Sequence, residues 1–483
     1  MKFTSFLFFI LISVFVISSC KKDDILTDSS VKLDFSTDTV IFDTVFVSLG
    51  STTKQLKIYN RNNRPIRISS IRLAGGAPST FRLNVDGIPG KSFTDVEIPE
   101  KDSLFIFVEV TVDPNGQLTP FIFQDSILFE TNGNLQDIDL VAFGQNARFI
   151  VADKFVTAGS SAIPYALLDT NLNSTIIWDN VLPYVVWGGY AVVDSSQTLE
   201  IMPGTKVYFG NNSGIWVYRG GTIKVLGNQA DPVKMKGVRL ESYYQDVPGQ
   251  WDRIWINEGS VNNEINYAEI SNAFIGVHAD TPFDTSDAKR LIIRNTIIKN
   301  MSGFGIFSRY YNLEVLNSVI ARCGQYVFLA EGGNFDFQHC SLTNYWNDGQ
   351  RNTPSVSLRD YTISGDQAFN YKLSKANFYN CIIWGNGDEE FEFSYEYNND
   401  TIQDFKNVLI KSELDLTGIQ YTNMIINQDP LFVNYQEDDY QLQQLSPAVN
   451  AGDPALLVDP VLQNDLLGNP RTGNPDLGAY EFQ

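Results

Sequence analysis

Three basic side chains stand among strand-like segments where a base would be needed: Lys299, Arg309 and Arg322. Four acids, Asp388, Glu389, Glu390 and Glu392, crowd behind Gly385-Asn386-Gly387. A Lys or Arg base beside carboxylates holding Ca2+ is apparatus for removing a proton next to a carboxylate group. Calcium is implied under that reading alone; otherwise the sequence asks for no cofactor and no metal. Each of these residues is equally an ordinary solvated charge, and spacing does not choose. Only two histidines occur, in Val277-His278-Ala279 and Gln338-His339-Cys340. The sequence carries no glycine-rich phosphate loop, nucleophile elbow or HExxH helix. Beyond Cys20, the cysteines Cys323, Cys340 and Cys381 are an odd set without metal-type spacing, so no disulfide framework or zinc site is implied.

Aromatic residues are the better lead for binding. Trp187, Trp216, Trp251, Trp255, Trp346 and Trp384 occur with the pairs Tyr243-Tyr244 and Tyr310-Tyr311. Exposed aromatic faces stack on the apolar faces of sugar rings; the competing use is packing at corners. Trp251, Tyr310 and Trp346 are expected to be exposed, because each lies at or beside a loop.

The elements that must position these residues are repeats. Leu291–Ile298, Leu313–Ile320 and Ala376–Ile383 lie over one another, with a degenerate copy, Phe335–Leu342, between the last two. The steps are 22, 22 and 41 residues. A period near 22 in β-type residues marks a stacked solenoid, in which one coil cannot bury its own inner face. Asn295, Asn317 and Asn380 share one column, where stacked amides form a structural ladder. Thr296, Ser318, Cys340 and Cys381 share the next, and two neighbouring thiols there are free or paired. Tyr243–Asp252 and Trp346–Lys375 interrupt the coils. The longer interruption is the natural place for a site.

From Leu199 to Met235 the succession L-x-I-x-P-G-T, G-I-x-V, G-x-I-x-V-x-G and D-P-V-x-M follows in order. It resembles the opening coils of bacterial parallel β-helix repeat proteins, of the pectate-lyase-like superfold. The resemblance implies a single-stranded right-handed parallel β-helix over residues 148–427. At roughly 22–28 residues per coil that is about ten coils, on the order of 50 Å of rod. Residues 428–483 contain Asp429-Pro430-Leu431-Phe432, Ser446-Pro447-Ala448-Val449-Asn450-Ala451-Gly452-Asp453 and Pro475-Asp476-Leu477-Gly478-Ala479-Tyr480-Glu481. They resemble the closing segment of choice-of-anchor-Q-type proteins, which implies a C-terminal cap.

The chain begins Met1-Lys2, with an apolar run from Phe6 to Ile17 and then Ser18-Ser19-Cys20. A basic start, a short apolar core and small residues before a cut are secretory signal logic. The ending resembles a bacterial lipobox, which implies a signal peptide over residues 1–19 and acylation of Cys20. Lys22-Asp23-Asp24 resembles the export signal of surface-exposed lipoproteins, within a tether spanning residues 20–30. Residues 31–147 alternate with period two between turns, as in Gln55–Asn60 and Ile66–Leu73. Seven or so strands suggest an Ig-like β-sandwich, similar to the spacer modules of bacterial surface proteins.

The expected fold class is all-β: an N-terminal Ig-like sandwich followed by the β-helix and its cap. Net charge is −21, and −22 once the leader is removed. Such a chain repels nucleic acid and, more mildly, polyanions. Motifs of polygalacturonase-type hydrolases and pectin methylesterases are missing. The expected function is therefore a lipid-anchored, surface-exposed outer-membrane lipoprotein, a non-catalytic platform binding a polysaccharide or a surface protein partner. The alternative is a polysaccharide lyase or other carbohydrate-active β-helix enzyme.

Overall fold

The computed structural model describes residues 24–47, 49–112, 121–158, 161–280, 291–397 and 400–483. The leader, Cys20 and the start of the tether lie outside the described residues. The chain forms two compact units, residues 1–146 and 147–483.

The first unit is built from two five-stranded sheets. One orders Asp34–Phe35, Lys54–Tyr59, Ser103–Val110, Phe81–Val85 and Ile88–Gly90, all antiparallel. The other orders Thr39–Phe46, Asn134–Gln145, Phe121–Thr131, Ile66–Leu73 and Ser92–Ile98, with one parallel pair between its first two strands. Ten strands thus stand where about seven were expected. Ile66 and Ile68 are buried by alternation, and a bulge between Ile68 and Ser70 shifts the phase so that Ile71 and Leu73 are buried in turn. The Asn-rich turn is pinned by Asn60, whose Nδ2 donates to the carbonyls of Arg64, Ile98 and Pro99 at 2.8, 3.1 and 2.9 Å.

The second unit is a parallel β-helix. Its first sheet has eleven strands, from Arg148–Val151 to Ile425–Ile426. Its second has eighteen, all parallel after an opening antiparallel pair, Lys154–Ala158 with Ser161–Leu167. From Tyr184 to Ile410 each turn adds one strand to the first sheet and two, or one long strand, to the second. Leu291 pairs with Leu313, Leu313 with Phe335 and Phe335 with Ala376, so the degenerate copy is a full rung. Inward side chains form one continuous core, including Ile223, Ile265, Ile293, Val315, Phe337 and Phe378. Each such side chain contributes about 1.5–3 kcal/mol.

The corner between the sheets explains the asparagine column. Tyr267, Asn295, Asn317, His339, Asn380, Asn407 and Asn423 all have φ between 46° and 54°. Asn tolerates this left-handed geometry better than other side chains. The amides also stack: Asn317 Nδ2 donates to Asn295 Oδ1 at 2.7 Å, and Asn295 Nδ2 to Asn266 Oδ1 at 3.2 Å. His339 holds the column on the degenerate rung, and Asn380 follows on the next, its Nδ2 2.8 Å from His339 Nε2. Cys323, Cys340 and Cys381 are buried free thiols.

Two expectations need correction. The 41-residue step is not one loop. Val356–Arg359 pairs in register with Phe328–Glu331, and Tyr361–Ser364 forms a hairpin with Gln367–Asn370. Residues 428–483, expected to cap the stack, run instead along its flank. Phe432, Tyr440, Leu442, Ala448, Leu477 and Ala479 pack on Val319, Ala321, Ile382, Trp384 and Leu409, the outward side of the first sheet. The asparagine corner is the rail they hold. Asp453 N donates to Asn380 Oδ1 at 2.9 Å, Asn407 Nδ2 to Ala451 O at 2.7 Å and Arg471 Nη2 to Asn317 Oδ1 at 2.9 Å. From Ile297 to Leu409 that flank is an apolar sheet face needing cover, which a cap across the end would not provide.

Arg471 also lies 3.2 Å from Glu481, whose carboxyl is pushed up to about 7, first by burial and then by Asp476. A carboxyl with a raised folded pKa favours the fold in its protonated form. That contribution is full below the ordinary value of 4.5 and is lost as pH rises through about 7. Glu481→Gln is expected to flatten this loss, read from thermal melts and tail proteolysis at about pH 5 and about pH 8. Parallel pH curves for variant and parent would contradict the assignment.

Candidate functional site

The outward side of the second sheet carries two rows set by register. Val192, Trp216, Trp255, His278, Phe307 and Leu329 are successive partners in one row. Two residues along, Asp280, Arg309, Glu331 and Arg359 form the next, alternating in charge. The intervening residues Ile254, Ile256, Val277 and Ala279 point into the core. Alternation therefore forces these aromatic and charged side chains onto the outer face.

The rings stack on one another. Trp216 and Trp255 have centroids 4.9 Å apart at 10°, and His278 and Phe307 4.6 Å apart at 15°. Their faces are occupied by each other, so their edges face outward. A cavity of about 240 Å3 opens there, lined by Trp216, Tyr218, Trp255, Asn257, Glu258 and Asp280, with Arg219 at its side. Three buried polar atoms lack a hydrogen-bond partner: Trp255 Nε1 and Asp280 Oδ1, on residues that line the cavity, and His278 Nε2, opposite Trp255 on the strand that carries Asp280 but off the lining. Buried polar atoms are rarely left unpaired, and each such atom needs an explanation.

Electrostatics define their states. Arg253 Nη1 lies 3.2 Å from His278 Nδ1. A guanidinium only donates, so Nδ1 accepts and the proton of the neutral ring sits on Nε2. Burial, then Arg253 and Arg309, holds the imidazole well below its usual pKa, so it stays neutral. Trp255 and His278 thus present two unused N–H donors. Burial pushes the Asp280 carboxyl up, against the pull of Arg309. Glu258, on the same cavity, pairs with Arg219 at 2.6 Å. Arg253 is held by two 2.9 Å bonds to Asp252, which also accepts from the Tyr190 hydroxyl.

The residues singled out from sequence do not converge. Lys299 and Arg322 lie on the flank of the first sheet, where both face Asp438 of the C-terminal segment at 2.8 and 3.7 Å. Arg322 also meets Asp348 at 3.3 Å. Arg309 is on the other sheet, paired with Glu331 at 3.0 Å and Asp280 at 3.4 Å. All three bases are neutralised by carboxylates. The acid run disperses too. Asp388 is exposed, Glu389 accepts from the backbone of Phe391 and Glu413, Glu390 is fully buried, and Glu392 accepts from Ser357. No group of three metal-ligating residues occurs among the described residues.

Trp251 and Trp346, expected at the surface, are 1% and 8% exposed. Tyr310 is half-buried at a left-handed corner, 5.7 Å from Tyr371. Loop position misled here because these rings plug gaps between loop and coil. His278, noted in the sequence only as one of two histidines, and Asp280, not singled out there, were marked as site residues only by an alternating strand ending in Asp280.

The fold defines the chain as an all-β protein with parallel sheets. No family model and no curated protein sequence matches it. Among solved structures, it is similar to the catalytic unit of a GH87 α-1,3-glucanase from Streptomyces thermodiastaticus. The two share 9% identity over 74% of this chain and 78% of that one, with a TM-score of 0.28. Another is the Agl-KA catalytic domain, at 12% identity over 78% and 76%, TM-score 0.27. A PapD-like domain of human CEP192 is similar at 9% identity over 26% of this chain and 96% of that one, TM-score 0.19. These scores are too low to assign the chain an activity.

Proposed function

We propose that this chain is a carbohydrate-engaging β-helix protein whose glycan lies in the cavity beside Trp216 and Trp255. The observation that carries the reading is the trio of unpaired polar atoms on an aromatic wall: Trp255 Nε1, His278 Nε2 and Asp280 Oδ1. Two donors and one carboxyl oxygen at adjacent rungs match the hydroxyls of a sugar, which both accept and donate. The full chain, titrated with a polysaccharide panel, is expected to bind one member. Trp255→Phe keeps the ring and removes one donor, and should weaken that binding roughly tenfold, the worth of one hydrogen bond. Unchanged affinity in the variant, or no binding across the panel, would overturn the reading.

A second reading, cleavage of the bound glycan, is favoured by Asp280. A carboxyl held up by burial shares the cavity lining with the ion-paired Glu258, and two carboxyls in unlike environments are what acid–base cleavage of a glycosidic bond uses. New reducing ends that vanish in Asp280→Asn would support it. Unsaturated ends would point instead to elimination, for which Arg309, beside Asp280, is the one of the three candidate bases on the same sheet. Calcium enters only through elimination, and the paired state of those bases argues against it.

The finer architecture and the address belong to the same proposal. The β-helix is right-handed, as parallel crossovers almost always are. The first unit is an Ig-like spacer. Acylation of Cys20 anchors the protein in the outer membrane with the β-helix facing outward, where glycans are met. Protease shaving of intact cells tests this: protein lost only after lysis would exclude surface display.

A further inference from the structure

A second cavity, of about 400 Å3, lies between the flank of the first sheet and the C-terminal segment that covers it. That volume is within the range of small-molecule sites, about 300–1,000 Å3. Trp384 forms part of its wall, with the Lys411 ammonium 5.5 Å from the ring centroid. Tyr345 and Tyr435, both on its lining, stack on each other at 4.0 Å and 13°, joining coil to tail. Asn347 and Gln436 bring carboxamides.

Arg322 is already paired with Asp348 and Asp438, so Lys411 is the cation on the cavity's lining left without an ion pair among the described residues. Arg322 and Lys411 face one carboxylate, Asp429, in a chain of net charge −21. Arg322 is 8% exposed, and its Nε, buried, has no hydrogen-bond partner. The other acids nearby, Asp348 and Asp438, are engaged by Arg322 and Lys299.

We infer that this cavity is a binding site for a sugar ring bearing an anionic substituent, a carboxylate or a sulfate. The anion meets Lys411 and Arg322 Nε, the carboxamides of Asn347 and Gln436 meet hydroxyls, and Trp384 meets the apolar ring face. Because Asp429, Tyr435 and Gln436 belong to the C-terminal segment, the site exists only when that segment is docked. It is independent of the proposed glycan cavity, which lies on the other sheet.

The test compares methyl glucuronoside, glucose 6-sulfate and methyl glucoside, each at millimolar concentration, on the full chain by calorimetry and ligand-observed NMR. At least one charged sugar is expected to bind at least tenfold more tightly than methyl glucoside, and preference between the charged probes identifies the anion. Lys411→Gln, at a half-exposed position, should weaken it about tenfold, and Gln436→Ala, at an exposed one, severalfold. Trp255→Phe should leave it unchanged, which separates this site from the proposed glycan cavity. Equal binding of neutral and charged sugars, or full affinity in Lys411→Gln, overturns the inference.

Discussion

Arg351→Met is expected to destabilise the β-helix by about 3–5 kcal/mol, the usual cost of stranding one member of a buried ion pair. Arg351 and Glu390 have side chains 3% and 0% exposed, joined at 2.6 and 2.9 Å in a two-pronged pair. Glu390 further accepts from Ser355 N, Ser355 Oγ and Gly387 N at 2.9, 2.5 and 2.6 Å. Arg351 also donates to Asn344 O and Asn386 Oδ1 at 3.2 and 2.9 Å. The pair thus ties the loop after Trp346 to the next rung. With Arg351 gone, a buried carboxylate loses its counter-charge. With both replaced by Met, the desolvation cost of the charges disappears, but Ser355 N, Ser355 Oγ and Gly387 N lose their acceptor, so only part of the stability should return. Denaturant melts of the single and double variants decide this. A single-variant loss below about 1 kcal/mol would mean that water reaches Glu390 and that the pair behaves as a surface one. Glu390 is thereby also explained as a staple. Both its oxygens are taken, so it has none to offer calcium.

How far the sequence revealed this structure differs from element to element. The rungs were legible because stacking enforces one phase: Leu291, Leu313, Phe335 and Ala376 pair as their spacing dictates. The asparagines were legible as a column, though the backbone reason, a left-handed corner, was not visible in residue type alone. The C-terminal segment was recognisable by its turns, yet turns do not say which surface a segment covers. Its true partner is the apolar row Val319, Ala321, Ile382 and Trp384, which becomes a continuous face only after the coils are stacked. The candidate site was hidden for the same reason. Trp216 and Trp255 are far apart in sequence, separated by the irregular stretch through Tyr243, and only register makes them neighbours. Lys299, Arg309 and Arg322 were chosen for charge, and charge gave no warning of the carboxylates waiting opposite each.

Trp251→Ala should cost about 3–5 kcal/mol, in the range of large aromatic deletions from a core. Trp251 lies at the end of an irregular stretch, which suggested a surface ring, but it is the plug that closes that stretch onto the coil. Its indole stacks on Phe209 at 4.2 Å and 14°, and its Nε1 donates to Ser271 O at 2.8 Å. Gln250 N donates to Asn272 O at 2.7 Å beside it. Deletion leaves a cavity against Phe209 and strips the Ser271 carbonyl of its donor. Trp251→Phe keeps the stack and loses that bond, so it should cost nearer 1 kcal/mol. The effect should also reach the candidate site. The next two residues, Asp252 and Arg253, hold the Tyr190 hydroxyl and the His278 ring, so a displaced Trp251 frees the imidazole to change its tautomer. Trp251→Ala is therefore expected to weaken glycan binding beyond what lost stability explains, while Trp251→Phe preserves it. Melts and binding titrations on both variants test this together. If Trp251→Ala melts like the parent, the ring is not the plug, and if it binds like the parent, Arg253 does not depend on it.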